Sequence, residues 1–302
     1  MIPRLLPLVK RGQAAVDPKL WRRLWAEAQA SSAVARRERY GPREDLESWS
    51  RRAAAFARQS ENAASRRRRQ TQLDWLAERG ALEPGYRVLD IGAGPGTFAL
   101  LLAARVREVV ALEPAAGMAA ILEKRIKARR LSNLRVVRRT WQEIEPEAEG
   151  WAGAFDLVFA SMSPGVNGPE ALEKMLRVSR RFCYLSGWSG SRWGRWGRAR
   201  GELWPRLFGG EAGGYPNDIL YPFGLLYALG FRPELRFGWV DIELSIPAGE
   251  AEDELARFFA RYTPDGPRLR RRIAAYVGEY SRAGRFRQES RQCHGYMLWE
   301  VG

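Results

Sequence analysis

The sequence predicts a doubly wound α/β fold, a mostly parallel sheet with helices on both faces. Three observations predict it. From Tyr86 onward, short apolar strands alternate with amphipathic segments of helical length, the pattern of right-handed βαβ units. The first strand runs straight into a glycine turn, Gly92-Ala93-Gly94-Pro95-Gly96, that opens a helix. The second strand closes on a carboxylate, Glu113, where open parallel sheets meet their ligands.

Residues 1–80 read as helices, with Trp21, Leu24 and Trp25, then Trp49, Ala53 and Phe56, at helical spacing. They form an expected N-terminal cap, and the run Arg66–Arg69 within it reads as a solvated helix face. Strands follow at Arg87–Gly92, Glu108–Leu112, Leu134–Val137, Phe155–Ala160 and Phe182–Ser186. The helices between them are Thr97–Arg105, Gly117–Arg129 and Glu170–Arg180. Asn217–Leu229 is a further helix, and Leu235–Ile246 and Gly295–Val301 are the last two strands. The α/β domain spans 81–302 with insertions at about 187–216 and 247–287, the second holding helices at Glu250–Tyr262 and Arg268–Tyr280.

Composition narrows the class. A chain of 302 residues, 45% hydrophobic with 12 Trp, can build a sizeable core. No apolar run approaches the roughly 20 residues needed to span a bilayer. Pro3, Arg4 and Pro7 break the apolar start, so a cytoplasmic protein with no membrane partner is predicted. Cys183, Cys293 and the single histidine, His294, make neither a disulfide framework nor a zinc site, and no metal is predicted. The formal charge of +15 invites nucleic acid. Yet only Lys10, Lys19, Lys124, Lys127 and Lys174 among its 50 basic residues are lysines. A phosphate-binding surface uses both types, so the skew points to a coding bias toward arginine.

The glycines carry the chemistry. The backbone must turn tightly and admit a ligand with no Cβ in the way, while the helix start offers free amides. A dinucleotide fingerprint spaces its glycines G-x-G-x-x-G; here they fall at 92, 94 and 96, with Thr97 in the place of the third.

The stretch Val88–Gly96, followed by Glu113-Pro114-Ala115-Ala116-Gly117-Met118, resembles the class I methyltransferases that use S-adenosylmethionine (SAM), in particular the small-molecule branch of ubiquinone biosynthesis. The resemblance covers about Tyr86 to Ser186. It implies a seven-stranded sheet with an antiparallel last strand, SAM as cofactor and S-adenosylhomocysteine as product. It places Asp90, Gly92 and Gly94 at the methionine end of SAM and Glu113 on the ribose hydroxyls. Met118 packs on the adenine, and Ala93, Gly96, Pro114 and Ala160 join the cofactor set. Where the family often has Gly-Asp-Ala after the third strand, this chain has Arg139-Thr140-Trp141. Thr140 is left to hydrogen-bond the adenine, and Trp141 to stack on it.

Methyl transfer from a sulfonium is an in-line displacement that chiefly needs alignment and exclusion of water. No catalytic residue is therefore read from the sequence. After the fourth strand the chain reads Ala160-Ser161-Met162-Ser163-Pro164-Gly165-Val166-Asn167. It lacks both the Asn/Asp-Pro-Pro-aromatic run of amino-group methylation and the Cys of RNA cytosine-C5 chemistry. Candidate acceptor-side residues are Ser161, Ser163, Trp188, Tyr215 and Tyr221, with Trp193, Trp196, Asn217 and Asp218 nearby. His294 reads as a packed strand residue. The leading reading is a methyltransferase for a small molecule; an RNA methyltransferase, a non-catalytic SAM-binding protein and, last, a nicotinamide dehydrogenase stand as alternatives.

Overall fold

The structure is a computed structural model and describes residues 17–31, 46–190, 196–210 and 217–302. Three helices come first: α1 (Pro18–Ser31), α2 (Leu46–Ser60) and α3 (Ala63–Glu78). The α/β part follows in the order β1 (Arg87–Ile91), α4 (Ala99–Ala103), β2 (Glu108–Leu112), α5 (Ala116–Ala128), β3 (Leu134–Val137), β4 (Phe155–Ser161), α6 (Pro169–Val178), β5 (Ser179–Ser189) and α7 (Gly197–Phe208). Then come α8 (Leu220–Ala228), β6 (Glu234–Pro247), α9 (Ala248–Phe259), α10 (Pro267–Glu279), β7 (Ser281–Arg282) and β8 (Arg285–Glu300).

Among the described residues the strands form one sheet, ordered β3-β2-β1-β4-β5-β8-β6. β1 to β5 are parallel, and β8 enters antiparallel between β5 and β6. β1 has β2 on one side and β4 on the other, so strand order reverses at the end of β1. That reversal opens a crevice at the carboxyl ends of the strands. The eighth strand beyond the expected seven is β7, two residues paired with the start of β8.

β8 begins at Arg285, ten residues before the strand expected from Gly295. Its first half carries Gln288 and Gln292 on the buried side. Polar residues facing inward erase the apolar alternation that marks a strand in sequence.

Alternation sorts the remaining side chains onto two faces. Leu89, Ile91, Val110, Leu112, Val158, Leu185 and Met297 pack with α6 and α8 on one face. Here α1 docks: Trp25 is buried, stacks on Tyr221 at 6.4 Å and donates Nε1–H to Asn217 Oδ1 at 3.2 Å. The other face carries Val88, Leu157, Phe159, Tyr184 and Leu298 beneath α3 and α4. Phe159 and Tyr184 stack at 4.5 Å, and the Tyr184 hydroxyl donates to Gln72 Oε1 on α3. The charge of Arg68 on α3 reaches His294, which pairs with Trp188 near the carboxyl end of β5.

A third core lies beyond β5, where the distal half of the β6–β8 pair packs on α7, α9 and α10. Trp196 and Trp204 are buried in it with Phe259, Tyr276 and Phe286. These two tryptophans therefore fill a core, and the Trp/Arg insertion is no exposed stacking surface at these positions. Trp193 and Tyr215 lie outside the described residues.

Candidate active site

The glycine loop is held by its glycines in three different ways. Gly92, Gly94 and Gly96 have φ of 74°, 57° and 86°, the left-handed region that glycine enters without steric cost. A Cβ on Gly96 would lie 2.4 Å from Leu122 Cδ1, and one on Gly92 would lie 2.3 Å from Ser163 Oγ. Around Gly94 nothing stands within 4 Å. The outer two glycines seat the loop against the protein; the middle one faces open space.

Two carboxylates underlie this loop. Glu113 is buried, its Oε2 accepting the Gly94 amide at 2.7 Å and its Oε1 the Ala115 amide at 2.8 Å. Burial pushes its pKa up, and the two amide donors oppose that. Asp90 is 2% exposed, and its Oδ2 has no hydrogen-bond partner among the described residues. Burial, then the Glu113 charge, push its pKa up to about 8. Two acids in one dry crevice, one of them with an oxygen left unpartnered, call for a cation or for hydroxyl donors.

At the start of α5, Met118 is buried against Ala53 of α2. α2 approaches closely enough that a Cβ on Gly117 would meet the Ser50 backbone, 2.5 Å from its oxygen. The Ser50 hydroxyl accepts the Gly117 amide at 3.1 Å. Gly117→Ala is expected to lever α2 away at a cost of about 1–3 kcal/mol. Limited trypsinolysis at Arg51 and Arg52 should accelerate; an unchanged digestion rate would show that α2 does not depend on this contact.

Two of the expected cofactor residues sit elsewhere. Trp141 is 2% exposed, with Nε1–H donated to the Ala171 carbonyl at 3.0 Å and Lys174 Nζ 5.3 Å from its ring. It fills the core beneath α6, where a bulky ring gains more from burial than at a wet crevice. Ala160 is fully buried in the same core. Thr140 Oγ1 is bonded to Glu143 Oε2 at 2.7 Å.

The turn after β4 is bent for a purpose. Met162 has φ of 53°, uncommon for a residue with a long side chain. The bend brings Ser163 onto Gly92 and leaves Ser161 Oγ 2.9 Å from Ser186 Oγ. Ser161 is in register with Ser186, and Trp188 follows on the same side of β5. Tyr221 does not join them: it packs with Trp25 in the cluster on the opposite face of the sheet. The four arginines also divide. Arg66 and Arg67 are exposed, but Arg69 is buried and donates to the Ser60 carbonyl at 2.8 Å, and Arg68 is half-buried. Sequence missed this because Arg69 falls on the same buried stripe of α3 as Leu73 and Leu76, whereas a charge run ordinarily marks a wet face.

Residues 88–184 match the family model described as a methyltransferase domain. Over these residues the chain carries a methyltransferase domain. Among solved structures it is similar to the YcgJ protein of Bacillus subtilis, with 13% identity and a TM-score of 0.49 over 76% of this chain and 98% of that one. It is also similar to a SAM-dependent methyltransferase of Aquifex aeolicus, with 15% identity and a TM-score of 0.42 over 76% and 89%. A third is the Haemonchus contortus phosphoethanolamine N-methyltransferase 2, at 13% identity and a TM-score of 0.44 over 76% and 52%. No curated protein matches the sequence.

The crevice suits the charges of SAM, the cofactor that the sequence resemblance implies. SAM brings a sulfonium and an ammonium to a site with two buried acids, one of them with an unpartnered oxygen. A dinucleotide would bring an anionic pyrophosphate to the same acids. The ligand class is decided here by charge as much as by glycine spacing.

Proposed function

We propose that this enzyme methylates a small-molecule acceptor by in-line displacement. In the proposed pose SAM lies along the ends of β1 and β2, its ammonium at Asp90 and its amino-acid end over Gly92, Ala93, Gly94 and Gly96. Glu113 takes the ribose hydroxyls; Pro114, Met118 and Thr140 border the adenine. SAM supplies an activated methyl, so this chain's work is to align the acceptor and keep water out.

One observation carries the small-molecule reading. The acceptor side, Ser161, Ser186 and Trp188, is a half-buried to buried patch, too covered for a duplex or a folded RNA. Several arginines support the reading by being engaged in pairs spread around the molecule: Arg22 with Glu173, Arg79 with Glu234, Arg138 with Glu123, Arg180 with Asp156 and Arg206 with Glu279. Paired charge scattered in this way makes no phosphate track.

The test is methyl-labelled SAM added with the enzyme to a cell extract. Label is expected in the fraction that passes a small-pore filter, unaffected by ribonuclease or protease. Label retained with macromolecules and released by ribonuclease would establish the RNA reading instead.

A further inference from the structure

The inward face of β8 is polar where a strand packed under helices is ordinarily apolar. Gln288 Oε1, Ser290 Oγ, Gln292 Nε2 and His294 Nε2 are all buried without a hydrogen-bond partner among the described residues. They are four successive residues of one face, flanked on it by the buried Phe286 and the half-buried Tyr296, while Arg287, Glu289 and Arg291 point outward and are exposed. Leaving a buried polar atom unpaired destabilises the fold, so an unbroken row of them marks a place made for something polar.

His294 is the end of this row that reaches the transfer site. It pairs across the sheet with Trp188, their rings edge-to-face at 4.7 Å. The adjacent same-face pair is Tyr296 with Ser186, whose hydroxyl touches that of Ser161 at the end of β4. The side chains that face His294 are Trp188 from β5, Tyr296 beside it and Arg68 from α3; Gly238 on β6 offers none. No carboxylate is among them. Burial, then the Arg68 charge, push the imidazole pKa down to about 4. It is neutral at neutral pH, and with the proton on Nδ1 its Nε2 presents a lone pair.

We propose that His294 Nε2 takes the proton of the methyl-accepting group, and that this group is a hydroxyl on a flat, anionic small molecule. The proposal rests on the small-molecule reading above. Flatness follows from the Trp188 ring beside the imidazole, and negative charge from Arg68 facing the same spot with no acid opposite. As the carbon–oxygen bond to the methyl forms, the methyl leaves the sulfonium and the bonding pair stays on sulfur. The acceptor's O–H bond breaks, and its proton passes to Nε2. A methyl ether, a thioether and an imidazolium result, so one positive charge is lost and one gained. The anionic acceptor itself raises the proton affinity of His294, which makes the imidazole a better base only when its partner is bound. After product leaves, Arg68 and the dry surroundings return the proton to water.

The chain has one histidine, so a histidine-labelled sample gives a single imidazole in nitrogen NMR. In the free protein that imidazole is expected to stay neutral from pH 8 down to 5.5, and in Arg68→Gln to titrate at higher pH than in the wild type. Titration near the ordinary value of about 6.5 would overturn the proposal without any variant. His294→Gln is expected to lower kcat at least a hundredfold, the lower end of general-base catalysis, with S-adenosylhomocysteine affinity within twofold of the wild type. Labelled product should resist alkali and release its methyl with hydriodic acid, as an ether does. A folded His294→Gln that keeps more than a tenth of the wild-type rate, or label fixed on nitrogen or carbon, sinks this proposal and leaves the small-molecule reading standing. Label found only in RNA or protein sinks both.

Discussion

Affinity for SAM is expected to rise almost tenfold per pH unit between pH 6 and 8 and to level off above. In the free enzyme burial holds Asp90 protonated up to about 8. The cofactor's ammonium needs the charged carboxylate, so binding below pH 8 must expel a proton, at about 1.4 kcal/mol for each unit of pH. The folded value of about 8 lies above the roughly 3.9 of an unfolded chain. The native free enzyme thus holds a proton that the unfolded chain has released between these two values. Its stability is fullest below about pH 4 and falls as pH rises to 8. Bound cofactor offsets that loss, so the rise in Tm caused by SAM should be larger at pH 8 than at pH 6. Calorimetry at pH 6, 7 and 8, in phosphate and in Tris, measures affinity and proton release together. Asp90→Asn should bind at least tenfold more weakly at pH 8 and lose the slope. A wild-type affinity that is flat from pH 6 to 8 would remove Asp90 from the ammonium site.

What was legible in the sequence follows from which forces act locally. The parallel strands announced themselves because β1, β2 and β4 are buried on both faces and read as apolar runs. The glycine loop was legible because positive φ at three positions leaves few other residues that fit. Glu113 was legible because a strand-end acid has few reasons to exist in a parallel sheet other than the ligand crevice.

The rest depended on contacts between distant segments. Trp141 looks like an adenine platform in sequence, and only the arrival of α6 turns it into core. Tyr221 stands close to Trp188 in a list of aromatics, yet α1 draws it to the other face through Trp25. Arg69 is hidden in a run of arginines until α3 packs down the stripe it shares with Leu73 and Leu76. β8 was read short because its buried face is polar over Gln288–His294. Such a failure of local pattern is what a ligand-facing surface produces, since its partners are not in the chain.

Glu113 tests how far the loop and the cofactor share one group. Each of its oxygens already accepts a backbone amide, from Gly94 and from Ala115. A carboxylate has lone pairs for more than these two bonds, which in the proposed pose go to the ribose hydroxyls. Glu113→Ala removes all of them and leaves two amides unpaired, and each charge-assisted bond is worth about 1.5–3 kcal/mol. A loss of at least tenfold in S-adenosylhomocysteine affinity is expected, along with a lower Tm from the loosened loop. Glu113→Gln separates the two effects. It keeps the volume but sets an amide N–H against a backbone N–H, so the loop must shift at whichever contact receives it. Affinity should still fall at least tenfold, while Tm falls less than in the alanine variant. Calorimetry and thermal melts on the same samples decide the matter. A folded Glu113→Gln with wild-type affinity would mean that Glu113 serves the loop alone and that the ribose is held by other groups.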